Sequence, residues 1–236
     1  MLRTITYSVG SITFESRCYI PPFSEKPGPA LIVFPNLWGP NDYWDEMLEK
    51  YSTLGYVVMI VDMYGVDTRP ETFDEAYEVI KPLKADREVT RQRATAALEN
   101  LAALQEVDSS KVIATGYCFG GMCVLELARI SAPVLGVVSL HGTLKSPLAL
   151  GQGDTIKPSV LVLHGAEDPG IPDEEVAGFM AEMRAVDADW QLVHFGGQVH
   201  AFTDRKANRP GHAKYDALTD SRSWGMMVQF IAEKFG

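Results

Sequence analysis

Residues 111–121 read K-V-I-A-T-G-Y-C-F-G-G, and this stretch decides the fold. An apolar run of β character ends at Gly116, Cys118 follows two residues later, and a helical pattern comes next. This order of strand, turn and helix is typical of a nucleophile elbow, in which a sharp turn exposes the nucleophile. The pattern predicts a strained backbone at Cys118, tolerated because Gly116 and Gly120 carry no side chain. The alternative is a buried structural thiol, since free cysteines are often buried.

Short apolar runs alternate with helical patterns over most of the chain. This alternation predicts a mostly parallel sheet with helices on both faces. An antiparallel hairpin is expected before it, from residues 4–9 and Ile12–Tyr19. We expect one α/β domain over residues 1–236. The predicted sheet strands are 30–34, 57–61, 111–115, 135–140, 159–163 and Trp190–Phe195. The predicted helices are 41–54, 85–106, 120–129, 173–186 and 215–235. A further short helix is predicted to begin with a capping box at Thr72 and to be ended or kinked by Pro82.

Composition restricts the classes of function. The 236 residues are 46% hydrophobic, which is enough for one sizeable core, and the formal net charge is -10. An acidic chain disfavours nucleic acid and anionic membranes as partners. The first residues lack the apolar segment of a signal peptide, and no apolar run is long enough to span a bilayer. Three cysteines without a C-x-x-C pair predict neither a disulfide framework nor a zinc site, and they fit a reducing cytoplasm.

Two later residues would complete a catalytic triad with Cys118. Sites in open parallel sheets lie beyond the carboxyl ends of the strands, and Asp168 and His200 each follow a predicted strand. His200 would take the thiol proton or hold a thiolate, and Asp168 would fix the orientation of its ring. Glu167 is the alternative acid. The spacing of the five histidines suggests no metal site.

Backbone N–H groups would stabilise the oxyanion that forms during acyl transfer. One belongs to Phe119, at the start of a helix whose dipole also favours negative charge on the sulfur of Cys118. The other is expected at Leu37, in the P-N-L-W-G loop after the strand 30–34. Four side chains are candidate substrate contacts, with packing aromatics and solvated charges as the alternatives: Asn36, Trp38, Tyr117 and Arg205. His141 is a further candidate at the edge of the site.

With these motifs the chain resembles the dienelactone hydrolase family. The resemblance rests on G-Y-C-F-G-G, H-G-A-E-D-P, V-H-A-F and the strand followed by L-W-G, and it runs from about residue 30 to the C terminus. It implies an α/β-hydrolase fold without a large cap and a cofactor-free reaction. The best-known members open the lactone ring of a dienelactone. Carried over by motif, the triad is Cys118, Asp168 and His200, and the oxyanion donors are Leu37 and Phe119.

Two positions depart from the family's pattern. The best-known members have a glutamate that helps to activate the cysteine where this chain has Asn36, and a substrate-binding arginine where it has Asp204, followed by Arg205. An amide cannot accept a proton, and a carboxylate repels an anionic lactone.

The expected function is cleavage of a small-molecule ester or lactone, without cofactor or metal, by a monomer or small homo-oligomer. The alternatives are a small-acyl esterase or thioesterase acting on a neutral substrate, and a catalytically silent binding protein that retains the fold.

Overall fold

The computed structural model describes residues 1–22 and 27–236 and is built around an eight-stranded sheet. In chain order its strands are β1 (Leu2–Val9), β2 (Ile12–Tyr19), β3 (Gly28–Phe34), β4 (Val57–Ile60), β5 (Val107–Tyr117), β6 (Gly136–Leu140), β7 (Ser159–Gly165) and β8 (Trp190–Phe195). The helices are α1 (Asp42–Ser52), α2 (Phe73–Ala85), α3 (Arg87–Ala102), α4 (Phe119–Arg129), α5 (Asp173–Ala185) and α6 (Ala217–Phe235).

The order of the strands across the sheet is β1-β2-β4-β3-β5-β6-β7-β8. Strands β3 to β8 pair in parallel, whereas β1 and β2 form an antiparallel hairpin that joins the sheet through β4. The predicted mostly parallel sheet with an N-terminal hairpin is therefore confirmed. The residues of the candidate site follow β3, β5, β7 and β8, whose carboxyl ends lie at one edge of the sheet.

Both faces of the sheet are covered, which is why its strands read as continuous apolar runs. In β3, Ile32 and Phe34 pack into a core shared with α3, α4 and α5, whereas Leu31 and Val33 pack on the opposite face with residues of α1 and α6. In residues 1–22 and 27–236, no helix combines the length and apolarity needed to cross a bilayer.

Most predicted element bounds differ from the structure by only a few residues, and the capping box at Thr72 is confirmed. Helix α2 does not end at Pro82 but continues to Ala85, because Ile80 and Leu83 hold its last turn against the core. The predicted helix 85–106 is shorter, and it begins after Asp86 caps it. Sequence analysis missed a small hairpin of β9 (Asn208–Arg209) and β10 (Ala213–Lys214).

Candidate active site

The turn between β5 and α4 holds Cys118 in a left-handed backbone conformation, with φ 54° and ψ -112°. Two glycines leave room for this turn. A Cβ on Gly116 would lie 2.1 Å from the carbonyl oxygen of Gly120, and a Cβ on Gly120 would lie 2.0 Å from that of Phe34. The N–H of Cys118 donates to the carbonyl of Leu140 at 3.0 Å. The predicted strain at Cys118 and the requirement for both glycines are confirmed.

Cys118, His200 and Asp168 form a hydrogen-bonded line. Nε2 of His200 lies 3.1 Å from Sγ of Cys118, and Nδ1 lies 2.7 Å from Oδ2 of Asp168. Asp168 is only 5% exposed, and its Oδ1 accepts the N–H of Gly170 at 2.9 Å. Glu167, the alternative acid, is exposed. The loop after β7 therefore directs Asp168, and not Glu167, at the imidazole.

The charges of the Cys118–His200 pair stabilise each other. Burial raises the pKa of the Cys118 thiol, but the charge and hydrogen bond of His200 and the N–H of Phe119 bring it below its ordinary value. Burial lowers the pKa of His200, but the negative sulfur of Cys118 and the hydrogen bond to Asp168 raise it to about 10. The site thus favours a thiolate beside an imidazolium, the reactive form of a cysteine nucleophile.

The backbone around Leu37 presents one unengaged N–H group. In the turn after β3, the N–H of Trp38 donates to Oδ1 of Asn36 at 3.2 Å, and the N–H of Gly39 donates to the carbonyl of Asn36 at 3.1 Å. Within the described part of the chain, the N–H of Leu37 has no acceptor. A donor at Leu37 is therefore available to a ligand, while the second expected donor, Phe119, is next to the nucleophile.

The two residues that depart from the family pattern touch each other. Nδ2 of Asn36 donates to Oδ2 of Asp204 at 3.2 Å, and Oδ1 of Asn36 accepts the indole N–H of Trp44 at 3.3 Å as well as the Trp38 N–H. Oδ1 of Asp204 accepts the N–H of Lys206 at 2.9 Å. Asn36 is only 5% exposed, and these partners fix the orientation of its amide.

A pocket of about 270 Å³ opens beside this pair, and Asn36, Trp38 and Asp204 line it together with Glu71 and Lys206. Of the four predicted substrate contacts, Asn36 and Trp38 therefore face a cavity. Two carboxylates and one ammonium group surround this cavity, so its charge does not favour an anion.

The other two predicted substrate contacts lie elsewhere. Tyr117 is only 3% exposed, its hydroxyl lies 2.7 Å from that of Tyr51, and its ring packs against Trp44. At the end of β5 its side chain faces the core under α1, so a substrate in the cleft does not reach it. Arg205 is exposed and is not among the residues that line the pocket.

Sequence analysis did not predict the buried contacts that His141 and Tyr64 make beside the site. His141 is 1% exposed; its Nε2 lies 2.8 Å from Oγ1 of Thr203 and its ring centroid 5.1 Å from that of His200. It is thus buried beside His200 instead of facing a substrate. Tyr64 contacts Leu37 and Gly39 in the turn after β3. The one feature of the sequence that could have indicated a place at the site is its position just past the carboxyl end of β4.

The described ranges contain no cluster of three or more histidine, cysteine, aspartate or glutamate residues arranged to hold a metal ion.

A parallel sheet whose strand β5 ends in a nucleophile elbow, with the acid and the histidine on later loops, defines an α/β-hydrolase. Within that class the chain belongs to the dienelactone hydrolase family, whose sequence model matches residues 14–235.

Three known proteins illustrate its relatives. A dienelactone hydrolase-like promiscuous phosphotriesterase from metagenomic libraries superposes with a TM-score of 0.92 at 38% identity, covering 100% of this chain and 99% of that one. An uncharacterized protein of Caenorhabditis elegans is 35% identical over 61% of this chain and 94% of its own length. A probable 2-oxo-3-(5-oxofuran-2-ylidene)propanoate lactonase of Bradyrhizobium sp is 26% identical over 77% of each chain.

Proposed function

We propose that this protein hydrolyses esters or lactones with Cys118 as nucleophile, His200 as acid and base, and Asp168 as the residue that orients the imidazole. The observation that carries the proposal is the line of contacts from Sγ to Nε2 at 3.1 Å and from Nδ1 to Oδ2 at 2.7 Å. Each distance is within hydrogen-bond reach, as an activated nucleophile requires.

The first half of the reaction is acyl transfer to sulfur. The thiolate of Cys118 attacks the carbonyl carbon, and the carbonyl π electrons move to oxygen. The N–H groups of Leu37 and Phe119 stabilise the oxyanion. As it collapses, the carbon–oxygen bond to the leaving group breaks, and the His200 imidazolium gives its proton to the departing alkoxide.

The second half is hydrolysis of the thioester. Neutral His200 removes a proton from water, and the resulting hydroxide attacks the acyl carbon through the same oxyanion site. The carbon–sulfur bond breaks, the acid is released, and the thiolate and imidazolium are restored. Asp168 accepts a hydrogen bond from the Nδ1–H group throughout and stays ionised, which keeps Nε2 directed at sulfur.

The pocket beside Asn36, whose lining does not include Cys118 or His200, would favour a neutral part of the substrate. The carboxylates of Asp204 and Glu71 line the pocket, and the amide of Asn36 is already occupied by Asp204. An anionic acyl group placed there would meet like charge, at a cost of about 1 kcal/mol across 4 Å even in water. Lys206 also lines the pocket and offsets one of the two negative charges, whereas Arg205 lies outside the lining.

A second candidate activity is the cleavage of neutral phosphotriesters, favoured by the 38% identity to a promiscuous phosphotriesterase over the full chain. Such a substrate carries no charge for Asp204 to repel. Cys118 would form a sulfur–phosphorus bond as the bond to the leaving group breaks, and His200 would protonate that group. Neutral His200 would then take a proton from water, and the hydroxide would attack phosphorus as the sulfur–phosphorus bond breaks, which restores the thiolate and the imidazolium.

Initial rates with p-nitrophenyl acetate and with a neutral p-nitrophenyl phosphotriester test both candidates. We expect Cys118→Ala to lower the rate to the uncatalysed background, because no nucleophile remains. Cys123→Ala is the matched control, since it removes a fully buried thiol five residues further along the chain. Turnover that survives in Cys118→Ala, or that falls equally in Cys123→Ala, would contradict the mechanism.

A further inference from the structure

We propose that Tyr64 is a positioning residue for the oxyanion hole: one side chain that fixes the two backbone segments whose N–H groups receive the oxyanion. The inference rests on the proposed acyl transfer at Cys118 and assigns a role to a residue outside the triad. Its basis is a set of contacts that joins the turn after β3 to the start of α4.

The hydroxyl of Tyr64 holds the turn after β3. It donates to the carbonyl oxygen of Leu37 at 2.9 Å, and the side chain is only 4% exposed. The peptide group before Leu37 is held as well, because the carbonyl of Asn36 accepts the N–H of Gly39 at 3.1 Å. With the peptide groups on both sides fixed, the unengaged N–H of Leu37 keeps one direction.

The ring of Tyr64 packs beside the side chain of the other donor residue, Phe119. Its centroid lies 5.9 Å from that of Phe119, the residue whose N–H follows the nucleophile. The Tyr64 ring also lies against Gly39, where a Cβ would come within 2.8 Å of Cε2. The ring therefore fills the space between the two segments and sets their separation, since close-packed groups transmit small displacements.

Tyr64 is itself rigidly held. Its backbone N–H donates to Oδ1 of Asp62 at 2.9 Å, and this fully buried carboxylate also pairs with Arg69 at 2.8 Å. Burial raises the pKa of Tyr64 well above its ordinary value, so the hydroxyl stays protonated and remains a donor at neutral pH.

The test is Tyr64→Phe, which keeps the ring and removes only the hydroxyl. We expect kcat for p-nitrophenyl acetate to fall roughly tenfold, with KM changed less than about twofold. Removal of one oxyanion donor lowers kcat by about a hundredfold or more, and the smaller effect is expected because here the Leu37 N–H is only displaced. Alkylation of Cys118 by iodoacetamide should keep its wild-type rate, because displacement of iodide forms no oxyanion.

Tyr7→Phe is the matched control. Tyr7 is buried, and its hydroxyl donates to a backbone carbonyl, that of Asp62, at 3.4 Å, but it does not touch the turn at Leu37. Tyr7→Phe should lose about as much free energy of unfolding as Tyr64→Phe, as measured by urea titration, and should keep the wild-type kcat.

Three outcomes would overturn the role of Tyr64. They are an unchanged kcat in Tyr64→Phe, an equal loss of kcat in Tyr7→Phe, and a parallel loss of hydrolysis and alkylation in Tyr64→Phe. Wild-type protein without Cys118-dependent turnover would instead overturn the proposed function, and with it this inference.

Discussion

At the scale of single residues, the Cys118–His200 contact determines when the thiol is reactive. Cys118 is partly buried, which by itself would raise the pKa of its thiol, yet the adjacent imidazole reverses the effect and lowers that pKa. The same contact, together with Asp168, raises the pKa of His200 to about 10. The lowered thiol pKa and the raised imidazole pKa together favour a thiolate–imidazolium pair over a neutral thiol and imidazole.

The pH dependence of Cys118 alkylation by iodoacetamide checks this pairing. In the wild type the inflection of the rate should lie below pH 9.0, the ordinary thiol pKa, because the lowered pKa keeps the thiolate at lower pH. In His200→Asn the inflection should move above that value, since burial then acts without a neighbouring positive charge. Identical inflections in the two proteins would show that His200 does not activate the thiol.

Asp204 provides a second prediction at this scale. We expect Asp204→Asn to raise kcat/KM for p-nitrophenyl hydrogen succinate about fivefold, because it removes a negative charge from the pocket. The methyl ester of that substrate, which carries no charge, should change by less than twofold. The single amide oxygen of the variant can still accept the Asn36 N–H, but the amide nitrogen cannot replace Oδ1 as the acceptor of the Lys206 N–H.

Asp187→Asn is the control for Asp204→Asn, because it makes the same change of charge at an exposed position outside the pocket lining. If Asp187→Asn raised kcat/KM for p-nitrophenyl hydrogen succinate as much as Asp204→Asn did, the effect would come from the net charge of the protein and not from the pocket.

Sequence alone could predict that Cys118, Asp168 and His200 lie together at one edge of the sheet, because each follows a strand and carries a local motif. It could not reveal that Asn36 bonds to Asp204, since 168 residues separate them. Tyr117 shows the same limit, because a residue beside a nucleophile can face either the cleft or the core, and only packing decides which.

At the scale of elements, the elbow depends on backbone atoms that approach too closely for any side chain. We expect Gly120→Ala to lower the free energy of unfolding by about 3 kcal/mol or more, because the new Cβ meets the Phe34 carbonyl at 2.0 Å and the backbone has to move. Gly178→Ala, in α5 with nothing within 4 Å, should instead be neutral or stabilising by up to about 1 kcal/mol. Urea titration measures both changes, and equal effects would refute the steric argument.

Elements with strong local signals were predictable. Buried parallel strands appear as apolar runs, and Thr72 and Glu75 form the reciprocal cap that the sequence pattern requires. Elements that depend on distant contacts could not be predicted in this way. The β9–β10 hairpin has only two residues in each strand, which is too short for a sequence pattern, and α2 continues past Pro82 because of tertiary packing.

At the scale of the whole molecule, buried ion pairs connect the helices on one face of the sheet. Glu126 of α4 lies 2.9 Å from Arg91 of α3, and Arg129 of α4 lies 2.8 Å from Glu182 of α5. Arg129 also pairs with Glu126 at 3.1 Å, and its side chain is only 1% exposed. Three helices are thereby joined through charges that are 35 and 53 residues apart in sequence, which no local pattern could have predicted.

We expect Arg129→Met to lower the free energy of unfolding by about 3–5 kcal/mol, because it leaves the buried Glu182 carboxylate without a cationic partner. Arg3→Met is the control, because it breaks an exposed ion pair with Glu106 and should cost less than about 1 kcal/mol. Urea unfolding of both variants measures the difference. A similar small loss in each would mean that the buried charges contribute no more than surface pairs do.

The left-handed backbone at Cys118 bears on heat tolerance. Strain of this kind costs about 1–3 kcal/mol, a large share of the 5–15 kcal/mol by which a typical domain is stable. Glycine adopts such a conformation without that strain. A selection for thermostable variants that ignored activity would therefore enrich glycine at position 118 and discard the thiol, so any stability screen of this protein needs a paired assay for Cys118.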